Sequence, residues 1–171
     1  SGSDGIYMLV GSRNNNNGAA YLYHSKSGEP FYVDSAGPTN QKWQTKITAS
    51  DDAIGSDFGK SVDVVSGTDG IHVIIGASDG IISPPGAAYL YHSKSSEPFY
   101  VDSGGLTNQK WQTKITSSDI AGGDEFGFSV SIVSGSDRLF VLAGARGDDD
   151  VPVNAGSAYL FHSKSGEPFY V

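Results

Sequence analysis

Residues 86–116 read GAAYLYHSKSSEPFYVDSGGLTNQKWQTKIT, and residues 18–48 read GAAYLYHSKSGEPFYVDSAGPTNQKWQTKIT; the two differ only at Gly28/Ser96, Ala36/Gly104 and Pro38/Leu106. A third copy opens at Gly156 (GSAYLFHSKSGEPFYV) and runs to Val171, so successive copies begin 68 and then 70 residues apart. Between them stand Phe58-Gly59-Lys60-Ser61-Val62 and Phe126-Gly127-Phe128-Ser129-Val130, again 68 apart. Each is followed by an apolar run that closes in Gly-Ala, at Gly76-Ala77 and Gly144-Ala145. A period of this length means an architecture stacked from like units, each too small to bury its apolar face alone.

The local pattern within each unit is that of strands. Residues 61–65, 71–75, 87–91 and 111–115 are short runs rich in Val, Ile, Tyr and Thr, bounded by Gly, Asp, Ser or Pro. No stretch combines helical periodicity with capping residues. Several strands are apolar on both parities: Val62 and Val64 have Val65 opposite, and Ile71, Val73 and Ile75 have Ile74 opposite. A sheet with one wet face alternates, so these sheets are expected to be covered on both faces. Four strands per 68 residues, each sheet sandwiched between neighbours, is the arrangement of propeller blades.

The motif order Phe-Gly-x-Ser-Val, apolar strand ending in Gly-Ala, Gly-(Ala/Ser)-Ala-Tyr-Leu-(Tyr/Phe) and Trp-Gln-x-Lys-Ile-Thr-x-Ser-Asp resembles the FG-GAP repeat, which builds the integrin-alpha type of β-propeller. The resemblance covers essentially the whole chain. It implies an all-β fold whose blade strands, from the axis outward, are residues 58–66, 71–77, 86–93 and 110–116, with a fifth strand at 99–102 as an alternative. The chain then divides into a partial blade (1–57, strands two to four), a complete blade (58–125) and a second partial blade (126–171, strands one to three). About two and a half repeats are expected to be part of a six- or seven-bladed ring. On that expectation the 171 residues are a stretch of something larger, either a longer polypeptide or several copies closing one ring.

Composition excludes several function classes. Eleven Lys plus Arg stand against 19 Asp plus Glu, a net charge of −8, so the chain has no basic footprint for a phosphate backbone and nucleic acid is not an expected partner. No apolar run approaches the ~18 residues of a membrane span, and no insertion is expected. The absence of Cys removes disulfides and thiolate metal sites together.

The resemblance raises calcium, which needs three or more oxygen-bearing side chains at alternating positions of one loop. The loop between the first and second strands, Ser66-Gly67-Thr68-Asp69-Gly70, has one acid and reads as a plain hairpin turn. A second calcium candidate is Asp148-Asp149-Asp150, which as consecutive residues point in different directions and also fit a solvated charge run. No other cofactor is expected. Arg146-Gly147-Asp148 spells an integrin-recognition tripeptide, yet Gly-Ala-x-Gly-Asp is a strand ending common in the resembled family, with Arg146 only filling the variable place. His24, His92 and His162 recur once per copy, without the partners that would make a ligand set. They are expected to pack at the end of the third strand, and His72, replaced by Tyr7 and Phe140 in the other copies, to belong to an aromatic packing surface.

Catalysis has no visible machinery. There is no Gly-x-Ser-x-Gly elbow, and near-identical copies do not supply the different residues an active site combines. Trp43 and Trp111 with Tyr32 and Tyr100 are candidates for stacking on sugars, against the alternative that they seal blade to blade. In the implied geometry, connections between strands two and three share a face with those between blades. That face carries Asp51, Asp52, Asp57 and Asp79, then Asp119, Asp124, Glu125, Asp148 and Asp149, and its loops vary most. It is the expected partner surface. The resulting expectation is a non-enzymatic extracellular or cell-surface module that recognises a protein or glycan. Alternatives are a structural subunit of an extracellular filament or sheath, and an accessory propeller of a secreted hydrolase.

Overall fold

The computed structural model describes residues 5–13, 18–26, 45–49, 57–68, 70–78, 85–94, 113–119, 121–149 and 155–163. Every regular element among them is a strand: β1 (Gly5–Ser12), β2 (Ala19–Lys26), β3 (Thr45–Ile47), β4 (Phe58–Gly67), β5 (Gly70–Ala77), β6 (Ala87–Lys94), β7 (Thr113–Ile115), β8 (Phe126–Ser134), β9 (Leu139–Ala145) and β10 (Ser157–His162). They form three antiparallel sheets in simple sequence order, β1-β2-β3, β4-β5-β6-β7 and β8-β9-β10. Strands 58–67, 70–77 and 87–94 lie within a residue or two of the boundaries read from the repeat, and 113–115 falls inside the expected 110–116. The alternative fifth strand at 99–102 lies outside the described residues. No described helix is long and apolar enough to cross a membrane.

The sheets lie against one another, which explains the strands that are apolar on both parities. All eight residues of β5 are buried. One face, with Ile71, Val73, Ile75 and Tyr89, packs on Ala20, Ile47, Tyr7 and Leu9 of the first sheet. The other, with Ile74, Ala88, Leu90 and Ile115, packs on Ile132, Leu139, Val141 and Ala143 of the third. The flanking strands alternate, β9 between buried and mostly exposed residues and β1 between partly buried and exposed ones, because each packs on a described neighbour on one side only.

The Phe-Gly pair has a local conformation of its own. The N–H of Lys60 donates to the Asp57 carbonyl at 3.1 Å, and that of Phe128 donates to Glu125 at 3.0 Å. Gly59 and Gly127 take φ of 87° and 83°, the positive value that the third position of a type II turn requires. Here the ladder slips, between Phe58 and Ser61 and between Phe126 and Ser129. The turn turns its carbonyls toward the preceding sheet. A Cβ on Gly18 or Gly11 would run into the carbonyl of Phe58 or Gly59, and one on Gly86 or Gly76 into that of Phe126 or Gly127. The Gly of Gly-Ala and the Gly that opens the next strand therefore form a seat for the following Phe-Gly turn.

Polar contacts hold the same junction in register. Ser61 Oγ donates to the Gly127 carbonyl at 2.8 Å. The Asp63 carboxylate, on the edge strand of its sheet, accepts from Ser131 Oγ at 3.0 Å and from the Ile132 N–H at 2.9 Å on the edge strand of the next.

Candidate functional site

The sequence points to the acidic connections, and the junction of β7, β8, β9 and β10 brings several of them together. Asp119 lies between β7 and β8, and Asp148 between β9 and β10, yet both reach the hydroxyl of Tyr159 on β10, at 3.0 and 2.6 Å. One phenol proton serves one carboxylate at a time, so Tyr159 donates to Asp148 or to Asp119. The hydrogen bond to Asp148, then burial, then Asp119 raise the pKa of this phenol well above its ordinary value.

The surrounding backbone fixes the cluster. Asp124 is buried; its carboxylate accepts from the Ala121 N–H at 2.5 Å and its carbonyl from the Gly147 N–H at 2.9 Å. Gly156 donates its N–H to the Asp148 carbonyl at 3.0 Å, closing the β9–β10 connection over Asp148. Glu125 has a φ of 56°, a left-handed conformation costing about 1 kcal/mol or more in a non-glycine residue. Its Oε1 holds the Arg146 guanidinium at 2.6 Å, and its buried Oε2 has no hydrogen-bond partner among the described residues. Arg146 also lies over the Phe128 ring at 4.5 Å, a ring that Lys60 approaches at the same distance. Asp57, which precedes the other Phe-Gly pair, faces Arg13 at 3.4 Å and Lys60 at 3.9 Å.

Of the predicted partner surface, Asp119, Asp124, Glu125 and Asp148 thus meet at one junction, with Asp149 next to Asp148 in the chain, while Asp57 occupies the matching position one sheet earlier. Asp51, Asp52 and Asp79, the stacking candidates Trp43, Trp111, Tyr32 and Tyr100, and the third calcium candidate Asp150 lie outside the described residues. Asp148 turns inward to Tyr159 and is buried, whereas Asp149 is exposed. Among the described residues no three His, Asp or Glu side chains converge as a metal site would need. The tripeptide at 146–148 does not present its two charges together, since Arg146 is bound to Glu125 and Asp148 to Tyr159. The hairpin after β4 is tight, with Gly67 opposite Gly70. The recurrent histidines pack across the strands as expected: His24 stacks on Tyr7 at 4.3 Å, His92 on His72 at 4.2 Å, and His162 tilts against Phe140 at 6.1 Å.

Tyr159 and Arg13 are neighbours of these acids that sequence reasoning did not single out, and Arg146, read there only as part of a tripeptide, is the partner of Glu125. Tyr159 occupies the position of Tyr21 and Tyr89, whose rings carry Lys46 and Lys114 at 5.9 and 5.2 Å; at Tyr159 two carboxylates meet the hydroxyl.

Residues 110–161, from just before β7 to the end of β10, match the family model of the FG-GAP repeat. This stretch is an FG-GAP repeat. Its bounds enclose the junction just described, with the Phe126-Gly127 turn, the Gly144-Ala145 strand ending and the acidic cluster. Parts of the same motif set recur in the preceding sheets as internal copies, and the three antiparallel sheets are consistent with propeller-like blades. FG-GAP repeats are found in integrin-alpha-like propellers and are typical of extracellular and cell-surface proteins. None of the curated proteins compared with the chain matches it.

The raised phenol pKa gives a direct test of the cluster. The protonated Tyr159 is favoured in the folded state, so its contribution to stability is complete below the ordinary tyrosine pKa and is lost as pH rises through the raised one. In a spectrophotometric titration of the nine tyrosines, the difference between wild type and Tyr159→Phe is expected to show no tyrosinate at pH about 10. A missing phenol that titrates with the bulk would show that the two carboxylates do not hold it.

Proposed function

We propose that the chain is a non-catalytic recognition module of FG-GAP propeller type, part of a six- or seven-bladed ring, that acts outside the cell or on its surface. It engages a protein or glycan through the acidic loop face at the blade junctions. The observation that supports this reading is that the β7–β8 and β9–β10 connections, which carry Asp119, Asp124, Glu125 and Asp148, meet at one junction, where Asp119 and Asp149 are exposed. The loops there differ between copies, while the block that opens at Gly18, Gly86 and Gly156 is nearly invariant, and variable loops on a rigid repeated scaffold are where recognition resides. A surface of this sign speeds encounter with cationic partners and makes binding salt-dependent.

An array of extracellular-matrix proteins and glycans, probed with wild type and with Asp119→Lys/Asp149→Lys, tests the proposal. Retention on at least one array member is expected, weakening with salt and falling about tenfold or more in the double variant. No retention, or retention indifferent to both salt and charge reversal, would remove the acidic face as the binding surface. A second reading is a subunit of an extracellular filament or sheath, supported by the near-identical repeated blocks, which suit a scaffold.

A further inference from the structure

In each sheet a ring on one strand meets the histidine of the next: Tyr7 meets His24, His72 meets His92 and Phe140 meets His162. The middle sheet departs from its neighbours by placing a histidine in both positions. His72 and His92 are cross-strand partners, and their rings stack at 4.2 Å with 4° between the planes. This pair belongs to the sheet that is packed on both faces. His72 is 6% exposed, whereas Phe140, in the same place on the last sheet, is 37% exposed.

The side that His72 faces follows from the strand pattern. Ile71, Val73 and Ile75 pack toward the first sheet, so the intervening His72 and Ile74 point to the last one. Val65, the partner of His72 on β4, packs on the apolar cluster that the middle sheet shares with the last, beside Ile74, Leu90 and Leu139. A neutral imidazole suits that setting, and an imidazolium does not, because burial among apolar side chains disfavours the charged form. The stack adds to the cost. Two positive charges on rings 4.2 Å apart repel strongly where the dielectric is low.

We propose that His72 and His92 form an acid-sensitive joint between the middle and last sheets, closed while both imidazoles are neutral and loosened when acidification protonates the pair. The charged groups of the surrounding elements leave this logic in place. On β4, Asp63 shares the face of Val65, but its carboxylate already accepts from Val64, Ser131 and Ile132. On β8, Val130 and Ile132 of the shared cluster are apolar. Before β9, Asp137 and Arg138 are exposed and pair with each other at 3.6 Å. The β4–β5 turn and the end of β6 add one charge of each sign, Asp69 and Lys94. In the unfolded chain both histidines take up a proton near pH ~6.5. The folded pair resists the second of these protons, so the stability it contributes is complete above that pH and is lost as pH falls below it. The joint belongs to the scaffold and operates whether or not the acidic face binds a partner.

Thermal melting from about pH 7.5 to about pH 5, a range that spans histidine titration, supplies the test. Wild type is compared with His72→Phe and His72→Tyr, which install the residues that the last and first sheets carry at this place. His24, His162 and the acids are common to all three proteins, so the difference reports the pair. Wild type is expected to lose about 5 °C or more beyond the loss in either variant. Amide exchange in acid, corrected for the intrinsic rate, is expected to show the protection of Ile132 falling in wild type and holding in His72→Phe, while the amides of β2 keep theirs in both. If neither variant folds, NMR of the wild-type imidazoles decides, with His72 expected to protonate below the range of the histidines in the urea-unfolded chain. Equal losses in wild type and variants overturn the proposal. So does a wild type that gains stability in acid, or a His72 that protonates at or above the unfolded range, since either result gives the imidazolium a counter-ion.

Discussion

Phe126→Ala is expected to lower the free energy of unfolding by about 4 kcal/mol, the range found when a fully buried aromatic ring is truncated. Phe126 is completely buried. Its ring meets Tyr159 at 5.5 Å and Phe161 at 6.3 Å in tilted and edge-on contacts, and its cluster includes Ile74, Leu90 and Ile115 of the middle blade. Truncation leaves a cavity at the boundary between two blades, where neither sheet can close it alone. Phe128, two residues on, is the internal control. It is only partly buried, its ring contacts include the charged ends of Lys60 and Arg146, and its replacement by Ala is expected to cost about 1 kcal/mol. Urea unfolding should show the midpoint of Phe126→Ala displaced with little change in slope, as expected when stability changes and the unfolded surface does not. Equal effects at the two positions would contradict the assignment of Phe126 to the interblade core.

The glycine pair Gly76 and Gly144 supplies the second large effect. Both close the second strand of a blade in Gly-Ala, and neither has a positive φ, so backbone strain does not separate them. Their surroundings do. A methyl group on Gly76 would occupy the space of the Gly127 carbonyl and of Ser61 Oγ, which donates to that same carbonyl. Backbone on the far side of a packed interface cannot step aside, and Gly76→Ala is expected to cost about 3 kcal/mol, lowering the melting temperature by roughly 10 °C in a chain of this size. At Gly144 the methyl would press only on the Ser129 side chain, whose hydroxyl rotates about one bond, and the expected loss is about 1 kcal/mol or less. Scanning calorimetry of the two variants in parallel measures the difference. Similar melting temperatures would mean that the Phe-Gly turn does not sit on the preceding blade.

Much of this organisation is legible in the amino-acid order, because it depends on local patterns repeated at a fixed period. The 68-residue spacing gives the unit, the runs of β-branched and aromatic residues give its strands, and the apolar character of Ile71, Val73, Ile74 and Ile75 on both parities gives a sheet enclosed on both sides. What the pattern does not carry is which unit has neighbours. Met8 and Val73 hold equivalent positions and are equally apolar, yet one is exposed and the other buried, since burial is set by the adjacent sheet and not by the residue. The acidic junction is legible only in part. The shared face of Asp119 and Asp148 follows from strand order, but their meeting at Tyr159 does not. Tyr159 is indistinguishable in its motif from Tyr21 and Tyr89, and its two acids come from connections that differ between copies. Glu125 is likewise readable as a loop acid, whereas its left-handed backbone and its hold on Arg146 follow from the turn that presents Phe126.

The central claim is that the sheets stack as consecutive blade-like units, the middle and last held in register along their edge strands β4 and β8, and the amide of Ile132 tests it most directly. β8 is an edge strand, and an N–H directed outward from a sheet edge exchanges with solvent unless something outside the sheet accepts it. Here the acceptor is the Asp63 carboxylate of the preceding blade, at 2.9 Å. Hydrogen exchange followed by NMR is expected to find the Ile132 amide slowed by about 100-fold or more relative to an unprotected amide. In Asp63→Ala that protection should disappear while the amides of β9 remain protected. Rapid exchange of Ile132 in the wild-type chain, or protection that survives loss of the Asp63 carboxylate, would contradict the blade register.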